Sequence, residues 1–322
     1  MNVEAPLVLP EVTIVVPARN EEACLGDCLA SLAGQTGVTF EIIVVDDYSS
    51  DRTAEIARSF AGVRVISPGP LPEGWTGKNH AVVAGVREAR GEWLLFTDAD
   101  TVHVPGSLAR ALAEAKNERA DLLSYSPEQV VVTFAEKAVM PVIFAELAAQ
   151  YPPKKVREPG SGIVAANGQY MLVKTSVYKK VGGHRAVASE VLEDVALARR
   201  FKQLGGRVFF RYGGDAVRTR MYRNWPQLRE GWTKNLALLF PHPARRALLL
   251  GAWWMVAWLT LPLVFPALFL YWRIRRAHFS ERSTAVAMAF GPPAFVYLLL
   301  RSARAHAHSG IIWKGRTYKA AA

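Results

Sequence analysis

Four short runs rich in β-branched and apolar residues set the tightest limit on the fold of this chain. They are Val12-Thr-Ile-Val-Val16, Phe40-Glu-Ile-Ile-Val-Val45, Val63-Arg-Val-Ile66 and a run from Glu92 that ends at Asp98. Runs this short, bounded by turn residues, read as buried strands. Helical segments lie between them. One runs from about Glu21 to Ala33 and stops at Gly34. A second is capped by Ser49, Ser50 or Asp51 and runs toward Gly62. A third spans Asn79 to Ala89 and is closed by Gly91. Strands that alternate with helices of this length imply an α/β fold, with a mostly parallel sheet, helices flanking it and right-handed crossovers.

In such a sheet, ligands bind outside the carboxyl ends of the strands. Two of the expected strands end in paired acids, Asp46-Asp47 and Asp98-Ala-Asp100. Clustered carboxylates need a cation or hydrogen-bond donors to stay ionised together. Asp98 and Asp100 suit a hard divalent cation, which takes oxygen ligands and is often completed by substrate phosphates. A nucleotide diphosphate with Mg²⁺ or Mn²⁺ would satisfy the cluster. An Asp-x-Asp pattern alone serves equally as a polar strand end or a helix cap. Lys78 follows Gly77 at a helix start, where an ammonium can approach phosphates or simply be solvated. Glu193-Asp194 falls inside an expected helix, Ser189 to Leu204, among apolar Val191, Leu192, Val195 and Leu197. A carboxylate there can take a proton from an acceptor hydroxyl, or lie on a solvated helix face.

Charge divides the chain. Residues 1–217 hold 23 Lys/Arg against 26 Asp/Glu, and residues 218–322 hold 16 against 2. The basic third is also the most apolar, which points to an anionic membrane surface; no motif points to nucleic acid. Ala247 to Trp272 carries no charge and is long enough to cross a bilayer as one helix. Thr284 to Leu300 is a second uncharged run. Pro262, Pro266, Pro292 and Pro293 interrupt them, and Arg273, Arg275, Arg276 and Arg282 lie on or near the connection. Two full spans would put those arginines on the non-cytoplasmic side, whereas a re-entrant first segment keeps them cytoplasmic. Phe134 to Tyr151 is too polar to span and reads equally as an interfacial or a core helix. Domain boundaries follow: residues 1–240 as the globular domain that carries the acidic strand ends and 241–322 as a membrane-associated region. Cys24 and Cys28 read as small buried hydrophobes in a reducing compartment. No signal peptide is expected.

The chain resembles the family 2 glycosyltransferases of the GT-A fold. The resemblance rests on Val12-Thr-Ile-Val-Val-Pro-Ala-Arg-Asn-Glu-Glu22, Ile43-Val-Val-Asp-Asp-Tyr-Ser-Ser-Asp-Arg-Thr53, Gly77-Lys78, Gly91-Glu-Trp-Leu-Leu-Phe-Thr-Asp-Ala-Asp100 and Glu193-Asp194. Together they cover about residues 12–236. Gly74-Trp-Thr-Gly-Lys78, Gly182-Gly-His184 and Trp313-Lys-Gly-Arg-Thr-Tyr318 further resemble the hopanoid- and carotenoid-associated membrane glycosyltransferases.

The resemblance implies a metal-dependent, inverting transferase of the cell membrane, with its catalytic domain cytoplasmic. It would pass one sugar from a nucleotide-sugar donor, UDP-linked, to a lipid acceptor. Pro17, Ala18 and Glu21 would line the nucleotide pocket, and Asp46 or Asp47 would contact the base. Asp98 and Asp100 would hold donor and metal, with Asp100 the direct ligand. Lys78 would approach the phosphates. Asp194 would be the catalytic base, with Glu193 beside it. A transferase acting on polyprenyl phosphate and a non-catalytic nucleotide-sugar binding protein are the alternatives.

Two departures stand out. Members that polymerise carry Gln-x-x-Arg-Trp after the base, whereas Leu228-Arg-Glu-Gly-Trp232 keeps the Trp and has Gly231 in place of the Arg. That points to transfer of a single sugar, with Trp232 on the acceptor or diphosphate side. Tyr48 stands where Gly is more common.

Overall fold

The computed structural model describes residues 9–260, 264–308, 311–313 and 316–318. The chain order begins β1 (Val12–Ala18), α1 (Leu25–Ala33), β2 (Phe40–Asp46), α2 (Thr53–Arg58), β3 (Val63–Ile66), α3 (Gly77–Arg87), β4 (Trp93–Phe96), β5 (Thr101–His103), α4 (Ser107–Asn117), β6 (Leu122–Ser126) and β7 (Glu128–Gln129). It continues with α5 (Phe134–Gln150), α6 (Pro153–Arg157), β8 (Met171–Lys174), α7 (Thr175–Lys180), a 3₁₀ turn at Gly183–Val187, α8 (Glu193–Gln203), β9 (Val208–Tyr212) and β10 (Val217–Thr219). The last elements are α9 (Trp225–Leu239), α10 (Pro243–Leu259), α11 (Phe265–Arg275), α12 (Glu281–His308), β11 (Ile311–Trp313) and β12 (Arg316–Tyr318).

These elements form two compact units, Met1–Glu128 with Lys154–Thr219, and Gln129–Pro153 with Arg220–Ala322. The division differs from the boundary at residue 240 expected from composition. Residues 129–153 join the C-terminal unit because the apolar face of α5 packs there, with Ala138, Val139, Met140, Val142 and Ile143 all buried.

The first unit is built on a seven-stranded sheet of order β3-β2-β1-β4-β8-β6-β9. The four strands expected from the sequence form one parallel half, β3-β2-β1-β4. β8 runs antiparallel to both β4 and β6, and β9 is parallel to β6. β1 and β4 are apolar along nearly their whole length because both faces of a parallel sheet are covered. The chain leaves β1 for β2 and β3 on one side, then returns to β4 on the other. This reversal opens a crevice at the carboxyl ends of β1 and β4.

The second unit is helical. Its core joins α5, α9, α10, α11 and α12 through residues such as Trp232, Leu236, Phe240, Phe295 and Leu299. The even choice at Phe134 to Tyr151 resolves as a core helix. Thr133 caps α5 by accepting from the Glu136 N–H, and the Glu136 carboxylate accepts from the Thr133 N–H. Glu136 also pairs with Arg220 at 2.9 Å. The Glu146 carboxylate, 3% exposed, accepts from Arg246 Nη1 and from Arg273 Nε, both at 2.7 Å. Gly291 on α12 lies against α5 so closely that a Cβ there would stand 2.3 Å from the Ala138 carbonyl oxygen.

The run Ala247 to Trp272 is not one helix. α10 stops at Leu259 and α11 starts at Phe265, with Pro266 in its first turn, where a missing N–H costs nothing. Pro262 lies outside the described residues. α12, with 28 residues that include an 18-residue stretch of mean hydropathy 1.6, is the one described helix long and apolar enough to cross a membrane. It also buries one face, including Phe295, Leu298 and Leu299, in the second unit. Outward-facing apolar side chains concentrate instead on α10 and α11: Leu259, the last residue of α10, is 82% exposed and Phe265, the first of α11, 81%.

The missing motif arginine has a packing explanation. A Cβ on Gly231 would lie 2.3 Å from the Tyr222 ring, which packs on Trp232 with centroids 6.0 Å apart. Gly231→Ala is therefore expected to destabilise the protein by about 1–3 kcal/mol through overpacking, read as a lower Tm. An unchanged Tm would show that Tyr222 moves aside freely.

Candidate active site

The site is assembled at the carboxyl end of the parallel half-sheet. Register places Ala18 beside Asp46, and the Asp47 N–H donates to the Ala18 carbonyl at 2.8 Å. Pro17 and Ala18 thus share the strand end with Asp46, the last residue of β2, and Asp47 just after it. Asp46 and Asp47 are 7% and 5% exposed. The Asp46 carboxylate accepts the Ser49 N–H at 3.3 Å, and the Asp47 carbonyl accepts from Arg19 Nη1 at 2.7 Å. Between them and α2, Tyr48 adopts φ 56°, a conformation that glycine reaches without penalty. This is the physical reason a glycine suits the position. Glu21 precedes α1, which begins at Leu25 rather than Glu21, and its N–H donates to Thr53 Oγ1 at 2.8 Å.

β4 ends at Phe96, two residues before Asp98, so Asp98 and Asp100 stand on the connection to β5. Threonines hold that connection by its backbone. Thr101 Oγ1 donates to the Asp98 carbonyl at 2.7 Å, and Thr219 Oγ1, on β10, donates to that of Asp100 at 3.1 Å. Thr97 Oγ1 donates to the Gln169 carbonyl at 2.8 Å and lies 3.1 Å from His103 Nε2. Burial pushes His103 down to about 3, so its imidazole is neutral here. Cys28 sits beneath, fully buried, its thiol pushed up to about 12 by burial. Cys24 lies just before α1 and is half-buried.

Lys78 joins the two acidic groups. Its Nζ lies 2.7 Å from Asp98 Oδ1 and 2.8 Å from Glu193 Oε1. Burial alone would lower the ammonium pKa, but Asp98 and Glu193 outweigh it and hold Lys78 well above its usual value. Its position is set by the N-terminus of α3. Thr76 Oγ1 caps that helix by accepting the Asn79 N–H at 3.2 Å, and Asn79 Nδ2 donates to the carbonyls of Val187, Ala188 and Glu190 at 2.8–3.2 Å. The fully buried Asn79 thus ties α3 to the segment leading into α8.

Glu193 and Asp194 lie in a helix as the sequence suggests, but α8 starts at Glu193 rather than Ser189, so they form its first turn. Negative charge is favoured there by the helix dipole. Asp194 Oδ2 accepts the Gly168 N–H at 2.9 Å and Oδ1 accepts the Val195 N–H at 2.7 Å. Burial, and next the adjacent Glu193 carboxylate, push Asp194 up to about 6. It is therefore mostly ionised at neutral pH yet basic enough to take a proton.

Asn79 and Gly168 are the contributors that sequence reading passed over. Trp232 belongs to the other unit. It is 2% exposed, and its indole N–H points to Met140 Sδ at 3.3 Å, so it packs in the core of that unit.

Among the described residues, no group of three or more His, Cys, Asp or Glu side chains is arranged to hold a metal. Two carboxylates on one short connection would fit a divalent cation only if its remaining ligands were supplied by a bound diphosphate and water.

Residues 13–182 match the family model of glycosyl transferase family 2, over half of the chain, and the protein belongs to that family. The 4,4'-diaponeurosporenoate glycosyltransferases of Staphylococcus aureus strains USA300 and MRSA252 are 29% and 30% identical to it over 233 residues. The match takes in 70% of this chain and 60% of each relative, so the chain spans about three fifths of their length. Among solved structures, the mannosyltransferase PcManGT from Pyrobaculum calidifontis, in complex with GDP-Man and Mn²⁺, has a TM-score of 0.55 at 17% identity. It covers 94% of this chain and 88% of its own. That likeness is one of fold, and the sheet is the GT-A sheet expected from the sequence.

Proposed function

We propose that this protein transfers a single sugar from a nucleotide-diphosphate sugar, UDP-linked, to the hydroxyl of a lipid acceptor, with inversion. The observation that carries this reading is the Asp98–Lys78–Glu193 bridge, with Asp194 next in the chain. It joins the carboxylate at the donor-binding strand end to Glu193, the neighbour of the candidate base. Asp47 and Asp46, beside Pro17 and Ala18, hold the nucleoside. Lys78 faces the diphosphate, and Asp98 and Asp100 hold Mg²⁺ or Mn²⁺. When bound, the ion supplies positive charge against the leaving diphosphate. Asp194 removes the acceptor proton as the hydroxyl attacks the anomeric carbon, and the nucleoside diphosphate departs. The Gly168 and Val195 amides orient its carboxylate, leaving a lone pair on each oxygen for the proton.

A second reading has one specific observation behind it. The staphylococcal relatives are named for diaponeurosporenoate, a carboxylate. An acceptor that is already ionised needs no base. Polyprenyl phosphate falls in the same class.

The test is a donor screen on protein in detergent, with UDP- and GDP-sugars, lipid extract, and Mn²⁺, Mg²⁺ or EDTA. The expected result is nucleotide release that requires the metal and rises with lipid. Donor binding without release under every condition would favour a binding protein.

The exposed apolar residues of α10 and α11 support attachment to the cell membrane, with the catalytic unit cytoplasmic. Leu259→Asp combined with Phe265→Asp is expected to shift membrane partitioning by about tenfold or more toward the soluble fraction, because both side chains face outward. Recovery in the membrane pellet equal to wild type would refute this attachment surface.

A further inference from the structure

The second unit contains a cavity of about 500 Å³ lined by none of the residues assigned to the transfer reaction. Its size suits a small-molecule ligand or a headgroup. One wall is basic. Arg245 and Arg246 come from the first turn of α10 and Arg273 from α11, with Glu146 of α5 between them. Arg246 and Arg273 both donate to the Glu146 carboxylate at 2.7 Å. Three guanidinium groups against this one carboxylate leave a formal excess of two positive charges on the wall. Each guanidinium has five N–H donors in a planar fork, so donor capacity remains beyond the bonds to Glu146.

The opposite end of the cavity is apolar. Leu249, Trp253 and Phe269 line it, and each is about half exposed. The Trp253 and Phe269 rings meet with centroids 5.1 Å apart. The same two helices carry the outward-facing Leu259 and Phe265. A basic wall with an apolar mouth on one helix pair matches an amphiphile with an anionic head. A free anion would leave the apolar mouth without a role, and a neutral lipid would leave the arginine excess without one.

We propose that this cavity binds the phosphate headgroup of an anionic membrane lipid, with its acyl chains against Leu249, Trp253 and Phe269. Arg245 is the headgroup contact least committed elsewhere, because it is exposed and stands outside the Glu146 pairs. Bound lipid would couple the second unit to the anionic leaflet by a specific site in addition to diffuse charge. This inference does not depend on the identity of donor or acceptor.

The test uses the full chain in an uncharged detergent, with thermal unfolding followed by tryptophan fluorescence. Phosphatidylglycerol, phosphatidylcholine and inorganic phosphate are titrated separately. Phosphatidylglycerol is expected to raise Tm saturably, through preferential binding to the folded state, and the other two are not. Arg245→Gln is expected to keep the lipid-free Tm and to weaken the phosphatidylglycerol response about tenfold, the scale of one lost charge-assisted contact. Arg276→Gln, an exposed arginine outside the cavity, should leave the response unchanged. Four outcomes would overturn the proposal. They are no shift with phosphatidylglycerol, an equal shift with phosphatidylcholine, an equal shift with inorganic phosphate, or equal weakening by both variants. The third identifies a free-anion site and the last reports diffuse charge.

Discussion

Asp194→Asn is expected to lower kcat by about 10²–10⁴-fold while donor affinity stays within about threefold of wild type. The amide keeps the size of the side chain and cannot take a proton. Its single oxygen can accept from the Gly168 or the Val195 N–H, so one amide loses its partner and a small drop in Tm accompanies the kinetic effect. The pH profile gives a sharper reading than the rate alone. A base works in its ionised form, and burial together with Glu193 has pushed Asp194 up to about 6. Wild-type kcat/KM should therefore fall as pH drops through about 6 and level off above it. That acid limb should vanish in the Asn variant. If the variant turns over like wild type, the acceptor is already ionised, and the carboxylate or phosphate reading replaces the hydroxyl one. If donor binding is lost together with turnover, Asp194 belongs to the donor pocket and the base lies elsewhere.

Glu146→Gln is expected to cost about 3 kcal/mol, near the lower end for breaking a buried ion pair. The carboxylate is 3% exposed, while Arg246 and Arg273 are 23% and 32% exposed and recover some hydration. Removing the one negative charge leaves two guanidinium groups facing each other inside the second unit. Seven of the nine tryptophans, from Trp225 onward, belong to that unit, so fluorescence-detected melting reports mainly on it. Two units need not melt together, and the quantity to compare is the Tm of the tryptophan-reported transition. Adding Arg273→Met to Glu146→Gln should recover part of the loss, because it removes one of the stranded charges. A transition that moves by less than about 1 °C in the single variant would show that solvent, rather than Glu146, balances these arginines.

Much of the donor half of the site could be read from the chain. β1, β2 and β4 are near-continuous apolar runs because a parallel sheet is covered on both faces, and candidate site residues lie at or just past the end of each. Lys78 was legible for the same local reason. Thr76 before Gly77 is a capping residue, so the helix start and the lysine that follows it are written next to each other. The acceptor half was harder. α8 begins after Leu192, which makes no side-chain cap, so nothing in the sequence marks Glu193 and Asp194 as a first turn. Asn79 and Gly168 act through backbone groups far along the chain, and such contacts leave no periodic trace.

The sequence by itself determined the alternation of strands and helices, the family, the acids at the strand ends and the basic, apolar character of the last third. These depend on local pattern and composition, which survive without knowledge of neighbours. The tertiary structure alone decided that Lys78 bridges Asp98 and Glu193, that the Asp194 carboxylate accepts the distant Gly168 N–H, and that α5 belongs with the C-terminal helices. It also decided that Ala247 to Trp272 is broken into two helices, and that Glu146 gathers two arginines from α10 and α11. Each of these is a pairing of residues distant in sequence, fixed by which apolar faces pack together and by where buried charges must find partners.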